Sequence, residues 1–189
     1  MDIFSSAVRL PESVVILCPG PGAAGWVRGD DDYIIACNAA VWHSVNPDWW
    51  IASDENAVGK DWFRPAAAEG IETLFGEGLA AKVGYYTGYT YRRGLPFGSG
   101  HGYKPLPSAL RPNGTILGEA LQFAWWFGAL DVSIVGADMR GDKYWTGESV
   151  PEYKRRDIWP YVQTLNNLIA VLRESGMTVT ALTETELSC

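Results

Sequence analysis

The residues able to do chemistry fall at the ends of short apolar runs. Gly20, Pro21 and Gly22 follow the run 14–18, Asn38 lies near the end of the run 32–39, Ser53 and Asp54 close 48–53, and Gly136-Ala137-Asp138 follows 132–135. Glycines without a Cβ let a phosphate or a sugar lie against the main chain, so the first of these turns is a candidate ligand cradle. An ordinary strand-to-helix turn needs the same residues, and a carboxylate such as Asp138 serves equally well as a cap for the loop after it. No nicotinamide or flavin site is expected from this turn.

The elements that must position these groups read as alternating strands and helices. The runs 32–39 and 48–53 are almost continuously apolar, as in strands covered on both faces. Shorter strands are expected at 14–18, 71–75, 132–135 and 178–182. Leu117, Ala120, Leu121, Ala124 and Phe127 recur at helical spacing over 115–129, with Asn113 or Thr115 as the cap. Tyr161, Val162, Leu165, Ile169 and Leu172 mark a second, longer helix that tolerates Pro160 only in its first turn. This pattern predicts an α/β fold, a single Rossmann-like domain over 1–189 with a mostly parallel sheet and helices on both faces. Parallel strands share one carboxyl edge, so Gly20, Asn38, Asp54, Thr115 and Asp138 are expected to border one pocket there.

One stretch breaks the rhythm. Residues 84–114 read GYYTGYTYRRGLPFGSGHGYKPLPSALRPNG, and no acidic residue lies between Glu77 and Glu119, whereas Lys82, Arg92, Arg93, Lys104 and Arg111 do. Long irregular segments inside compact domains are typically binding loops, lids or disordered, and the tyrosines argue against disorder. The expectation is a basic lid or binding loop over 84–112, with Arg92, Arg93 or Lys104 aimed at a ligand phosphate. Chance clustering on a solvated loop is the alternative.

Composition narrows the classes. With 189 residues, 47% hydrophobic and 20% charged, the chain is long enough for one well-packed core. A net charge of −7 argues against a nucleic-acid partner, which needs a broad basic surface. No apolar run reaches the roughly 18–20 residues of a membrane span, and the first residues lack the layout of a signal peptide, so a cytoplasmic protein without an integral membrane segment is expected. Cys18, Cys37 and Cys189 have no metal-ligand spacing and read as free thiols. Asp30-Asp31-Asp32 precedes a strand rather than following one, at the wrong sheet edge for a metal motif, so no metal site is expected. Of nine tryptophans, most belong to the core, with Trp145 the best placed for a ligand.

These motifs, taken in order, resemble a known group. The Gly/Pro turn, the Cys37-Asn38 strand end, Pro47-Asp48 running to Asp54, Asn113-Gly114-Thr115 at a helix start, and Gly136-x-Asp138 followed by Tyr144 are similar to the bacterial sialyltransferase-like glycosyltransferases of family 42 and their uncharacterised relatives, over about residues 13–185. The turn and the Pro-Asp…Asp strand are also similar to the archaeal hydroxymethylpterin diphosphokinase-like family. The glycosyltransferase resemblance implies that Gly20, Pro21 and Gly22 border the donor nucleotide, that Asn38 bonds nucleotide or phosphate, and that Ser53 or Asp54 faces the ribose or sugar. It implies that Asn113, Gly114 and Thr115 hold the nucleotide at a helix N-terminus, where amides and dipole favour anions. Tyr144 would act on the departing phosphate, and Arg140 would neutralise it where the family has a second tyrosine.

The family's downstream histidine is missing, since His43 and His101 are the only two. Sugar transfer requires a proton acceptor, so His101, Asp138 or Glu148 must substitute, unless the protein binds a nucleotide without transferring sugar. Three functions follow as expectations. The first is transfer from a nucleotide-activated sugar, a CMP-sugar first, with the donor as substrate and no cofactor. The second is a diphosphokinase-like phosphotransferase using ATP, the one case that calls for magnesium. The third is a non-catalytic nucleotide-binding protein. The partner in each is a small-molecule nucleotide or nucleotide-sugar, and homo-oligomerisation is left open.

Overall fold

The computed structural model describes residues 1–43, 45–84, 86–96, 104–106, 108–112, 114–139 and 158–189. Among them one sheet of seven strands forms: β1 (Ser13–Leu17), β2 (Ile34–Cys37), β3 (Trp49–Ala52), β4 (Glu72–Gly76), β5 (Tyr89–Tyr91), β6 (Asp131–Val135) and β7 (Thr178–Ala181). Its order is β5-β4-β3-β2-β1-β6-β7 and every neighbouring pair is parallel. This is the α/β, Rossmann-like architecture expected from the sequence. The chain steps outward from β1 to β5, returns through helix α2 (Ile116–Trp126) to β6 on the other side of β1, and steps on through α3 (Trp159–Glu174) to β7. The direction therefore reverses beside β1, and open sheets place their ligand crevice at the carboxyl ends flanking such a reversal.

Strand period two sorts the side chains onto two faces without exception among the core residues. Val14, Ile16, Cys18, Ile35, Cys37, Trp49, Ile51, Leu74, Tyr91, Val132 and Ile134 pack under α2 and α3. Val15, Leu17, Ile34, Ala36, Trp50, Ala52, Phe75 and Val135 form the opposite face. Helix α2 lies buried along residues 117–124 because its sequence is apolar nearly all round, and α3 buries the stripe Val162, Leu165, Leu168, Ile169 and Leu172.

The opposite face is covered differently. Short 3-10 turns, Pro21–Ala23, Asn38–Trp42, Glu55–Gly59 and Pro65–Ala67, follow the strands there in place of longer helices, and the only α-helix described there is the two-turn α1 (Glu77–Val83). Aromatic rings supply the missing bulk: Trp50 packs against Phe63 and Phe75 with ring centroids 5.5 and 5.0 Å apart, and Phe75 stacks on Tyr86 at 4.6 Å. Each such ring removes roughly 150–250 Å² from water, enough to stand in for a helix face. Several of the nine tryptophans serve in this way.

Candidate functional site

At the reversal point the turn after β1 closes against the loop after β6. The Gly20 N–H donates to the Gly136 carbonyl at 2.8 Å, and the Gly22 N–H donates to the Asp138 carboxylate at 3.1 and 3.2 Å. A Cβ on Gly20 would collide with the Asp138 carboxylate and the Gly136 carbonyl, and one on Gly22 would lie 2.6 Å from Asp138 Oδ1. The glycines thus admit a neighbouring loop of the protein itself, and the carboxylate of Asp138 takes the place at the Gly22 amide where a phosphate was expected. Thr183, after β7, accepts from the Gly136 N–H at 2.9 Å, and Thr185 donates to the Ala137 carbonyl, so three strand ends are tied together. Gly20, Gly22 and Gly25 do have the Gly-x-Gly-x-x-Gly spacing of dinucleotide sites, a signal overlooked in setting that class aside. Here, however, the turn opens no α-helix, and a Cβ on Gly25 would meet nothing within 4 Å, so the helix-packing role of the third glycine is absent.

A second cluster occupies the face under α2. By the alternation of the strands and the residues just after them, Cys18, Cys37, Ser53, Tyr91 and Arg93 share the face that α2 covers. There stands Glu119, only 1% exposed. Its carboxylate accepts from the Tyr91 hydroxyl and pairs with Arg93 at 3.1 Å, and Ser53 also hydrogen-bonds to it. Burial raises the Glu119 carboxyl above the usual carboxylate range, against the opposing pull of Arg93 and the hydroxyls of Tyr91 and Ser53. Burial likewise pushes the Tyr91 hydroxyl well up, with Glu119 adding to the shift. The Cys37 thiol is pushed up by burial, by its hydrogen bond with Cys18 and by the charge of Glu119. Gly76 leaves the slot between Ser53 and Arg93 open: a Cβ there would lie 3.3 Å from Ser53 Cβ and 3.7 Å from Arg93 Cδ. The Arg93 side chain is 44% exposed, so a guanidinium fixed at one end by a buried carboxylate faces outward at the carboxyl edge.

Asn38 completes the edge. It follows β2 in the left-handed region at φ 49°, and its Oδ1 is buried without a hydrogen-bond partner among the described residues. A buried amide oxygen left unpaired costs free energy, so this one marks a place for an incoming donor.

The remaining expected residues divide. Ser53 is buried beside Glu119, whereas Asp54 is exposed and accepts from the Asn56 N–H at 2.9 Å as a turn cap. Asp48, the other end of the Pro-Asp…Asp motif, lies at the opposite sheet edge, where it accepts from the Ile34 N–H at 2.8 Å and from Arg28 at 3.0 Å. Gly114, at φ 86°, lets the Tyr161 ring lie against the main chain where a Cβ would stand. Thr115 holds the N-cap position of α2. His43 is buried with Nε2 2.8 Å from the Ala23 carbonyl, a link between two turns. His101, Asn113, Arg140, Tyr144, Trp145 and Glu148 lie outside the described residues.

The basic stretch is also sorted by the structure. Tyr89–Tyr91 is a strand of the sheet, and Arg93 and Leu110 form a parallel bridge beyond it. Arg111, 1% exposed, donates to the carbonyls of Leu95, Pro96 and Lys104 at 2.9–3.1 Å. Gln122 accepts from the Arg111 N–H and donates to its carbonyl, both at 2.9 Å, fastening the segment to α2. Lys82 pairs with Glu55 at the surface at 3.1 Å, and Arg92 and Lys104 are exposed. Among the described basic residues, Arg93 is the one paired with Glu119. Cavities of about 640 and 770 Å³ lie elsewhere, one lined by Phe63, Val83 and Tyr86, the other by Tyr33, Trp42 and Asp48; neither borders Gly20, Asn38, Asp54, Thr115 or Asp138. Among the described residues, no three His, Cys, Asp or Glu side chains group as metal ligands, and no helix is long and apolar enough to cross a membrane.

Fold and site together define an α/β protein with a polar carboxyl edge that runs from the reversal of its strand order beside β1 to Arg93 beyond β5. No family model matches the chain, and no curated protein or solved structure matches it.

Proposed function

We propose that the protein binds a nucleotide or nucleotide-activated sugar, a CMP-sugar first, along the carboxyl edge, and transfers the sugar to an acceptor hydroxyl in the cytoplasm. The observation that carries this reading is the buried, unpartnered Asn38 Oδ1 beside the strand-order reversal. An amide oxygen accepts from a cytosine amino group or a ribose hydroxyl, and the amide nitrogen next to it donates to phosphate or ribose oxygen. Arg93 supplies the positive charge for the phosphate. Strands lie about 4.8 Å apart, so Asn38 after β2 and Arg93 after β5 stand roughly 14 Å apart at the backbone, a span for an extended ligand crossing Ser53 and Gly76.

The phosphate is assigned to Arg93 rather than to the Gly20-Gly22 turn, because Asp138 already occupies the Gly22 amide. Asp138 bonds the Gly22 amide beside β1, about four strand spacings or roughly 19 Å from Arg93 beyond β5, so the acceptor's proton is assigned to His101 or Glu148 instead. Tyr144 keeps the role that the resemblance implies, on the departing phosphate.

A thermal-shift screen with CMP, CDP, UDP, ADP, ATP and NAD, with and without magnesium, tests this. A ligand at a hundred times its dissociation constant stabilises the fold by about 2.7 kcal/mol. Selective, magnesium-independent stabilisation by CMP or CDP is expected. Stabilisation by ATP only with magnesium would move the assignment to the phosphotransferase class, by NAD to a dinucleotide site, and no shift with any nucleotide would end the reading.

A further inference from the structure

We propose that Glu119 and Arg93 form an exchangeable ion pair that couples anion binding at the carboxyl edge to the uptake of one proton. The inference rests on reading this edge as the ligand edge. Its physical basis is the asymmetry of the pair: the Glu119 side chain is 1% exposed, that of Arg93 44%, and they meet at 3.1 Å. An anion arriving from solvent reaches Arg93 and not Glu119. Arg93 follows a three-residue strand at the end of the sheet and carries its charge on a long, partly exposed side chain, whereas Glu119 is fixed in a fully buried helical turn.

If the guanidinium turns to a phosphate, Glu119 is left, among the described residues, with Tyr91, Ser53, Cys37 and, behind it, Cys18, none of them cationic. A buried carboxylate stripped of its cation is strongly unfavourable, so it takes a proton from the solvent and becomes a neutral carboxylic acid. That acid keeps its hydrogen bonds, since the Tyr91 and Ser53 hydroxyls either donate or accept. The balance is one anion bound and one proton taken from the buffer, with no covalent bond made or broken except O–H. Burial already raises the carboxyl in the resting state, which shortens the step. Glu119 is in this scheme a positioning residue: it holds Arg93 ready in the empty site and releases it at the price of a proton.

The test is titration calorimetry of the full chain with CMP near pH 7, in buffers of different ionisation enthalpy. The phosphate of CMP titrates near pH 6 itself, so the measured quantity is the difference between the parent and Glu119→Gln, which keeps the shape and hydrogen bonds without the proton. The parent is expected to take up close to one more proton per CMP than E119Q. Its affinity should rise as pH falls, by up to about tenfold per pH unit relative to the variant. Equal uptake by the two proteins would overturn the proposal.

Should E119Q fail to fold, infrared difference spectra of the parent decide: a protonated-carboxyl band must appear on binding, and its absence refutes the exchange. Should CMP not bind, the same titration with inorganic pyrophosphate separates the two readings. Binding with proton uptake there keeps the exchange while removing the nucleotide, and no binding of either anion overturns both.

Discussion

Alanine at Gly20 tests the way the reversal point is built. A Cβ there runs into the Asp138 carboxylate and the Gly136 carbonyl; the first can rotate away, and the second is backbone that the sheet holds in place. The turn must therefore part from β6. That move breaks the 2.8 Å Gly20–Gly136 hydrogen bond, worth about 1 kcal/mol, and disturbs the Gly22–Asp138 bonds, worth about 1.5–3 kcal/mol as charge-assisted contacts. A loss of about 2–4 kcal/mol is expected. In urea, with a slope near 2 kcal/mol/M, the midpoint falls by about 1–2 M. Gly22→Ala meets chiefly the Asp138 side chain at 2.6 Å, with Thr183 Cβ at 3.1 Å behind it, so Asp138→Ala should relieve most of its cost. The G22A/D138A pair should accordingly lose less than the sum of the two single losses, by about 1 kcal/mol or more, whereas G20A keeps most of its cost in the D138A background. A G20A midpoint equal to the parent's, or strict additivity of G22A and D138A, would refute this account of the turn.

Two further outcomes follow from buried polar groups. Arg111→Ala removes three hydrogen bonds to carbonyls of the 95–104 segment and should cost about 3 kcal/mol or more; Arg111→Lys should rescue little, because an ammonium lacks the planar fork, and limited proteolysis of 86–96 should quicken in both. The raised carboxyl of Glu119 means that the native state holds its proton more tightly than the unfolded chain. Stability from this group is full below the ordinary carboxylate range and is lost as pH rises through the raised value, so urea midpoints of the parent should fall relative to E119Q across that window, and parallel curves would count against a buried, raised carboxyl.

The strands were legible because both faces of the sheet are covered. Runs such as 33–37 and 49–52 are apolar at every position, and the small or polar ends of the strands placed Cys18, Cys37, Ser53 and Gly136 at one edge. Strand β5 was not legible: three residues, Tyr89-Thr90-Tyr91, sit among glycines and owe their state to pairing with β4. The 3-10 turns were hidden too, since Gly20–Gly29 and the 53–70 segment carry no period, and their cover comes from tryptophan bulk.

Glu119 and Gln122 were overlooked although a signal existed. They are two polar residues spaced i and i+3 in an otherwise apolar helix, and on a helix buried all round such residues must find internal partners. Nothing in the sequence separated Arg93, paired to Glu119, from Arg111, folded inward onto carbonyls. That difference depends on which loop carbonyls turn toward α2, a tertiary matter.

The most direct measurement of the central claim is an amide chemical-shift titration of the isotope-labelled protein with CMP. The account expects the largest shifts at Asn38, Ser53, Asp54, Tyr91, Arg93 and Thr115, with smaller ones at Gly22 and Asp138. Shifts concentrated at Tyr33, Asp48 and Gly70 around the cavity at the opposite sheet edge, with the carboxyl edge unmoved, would contradict it.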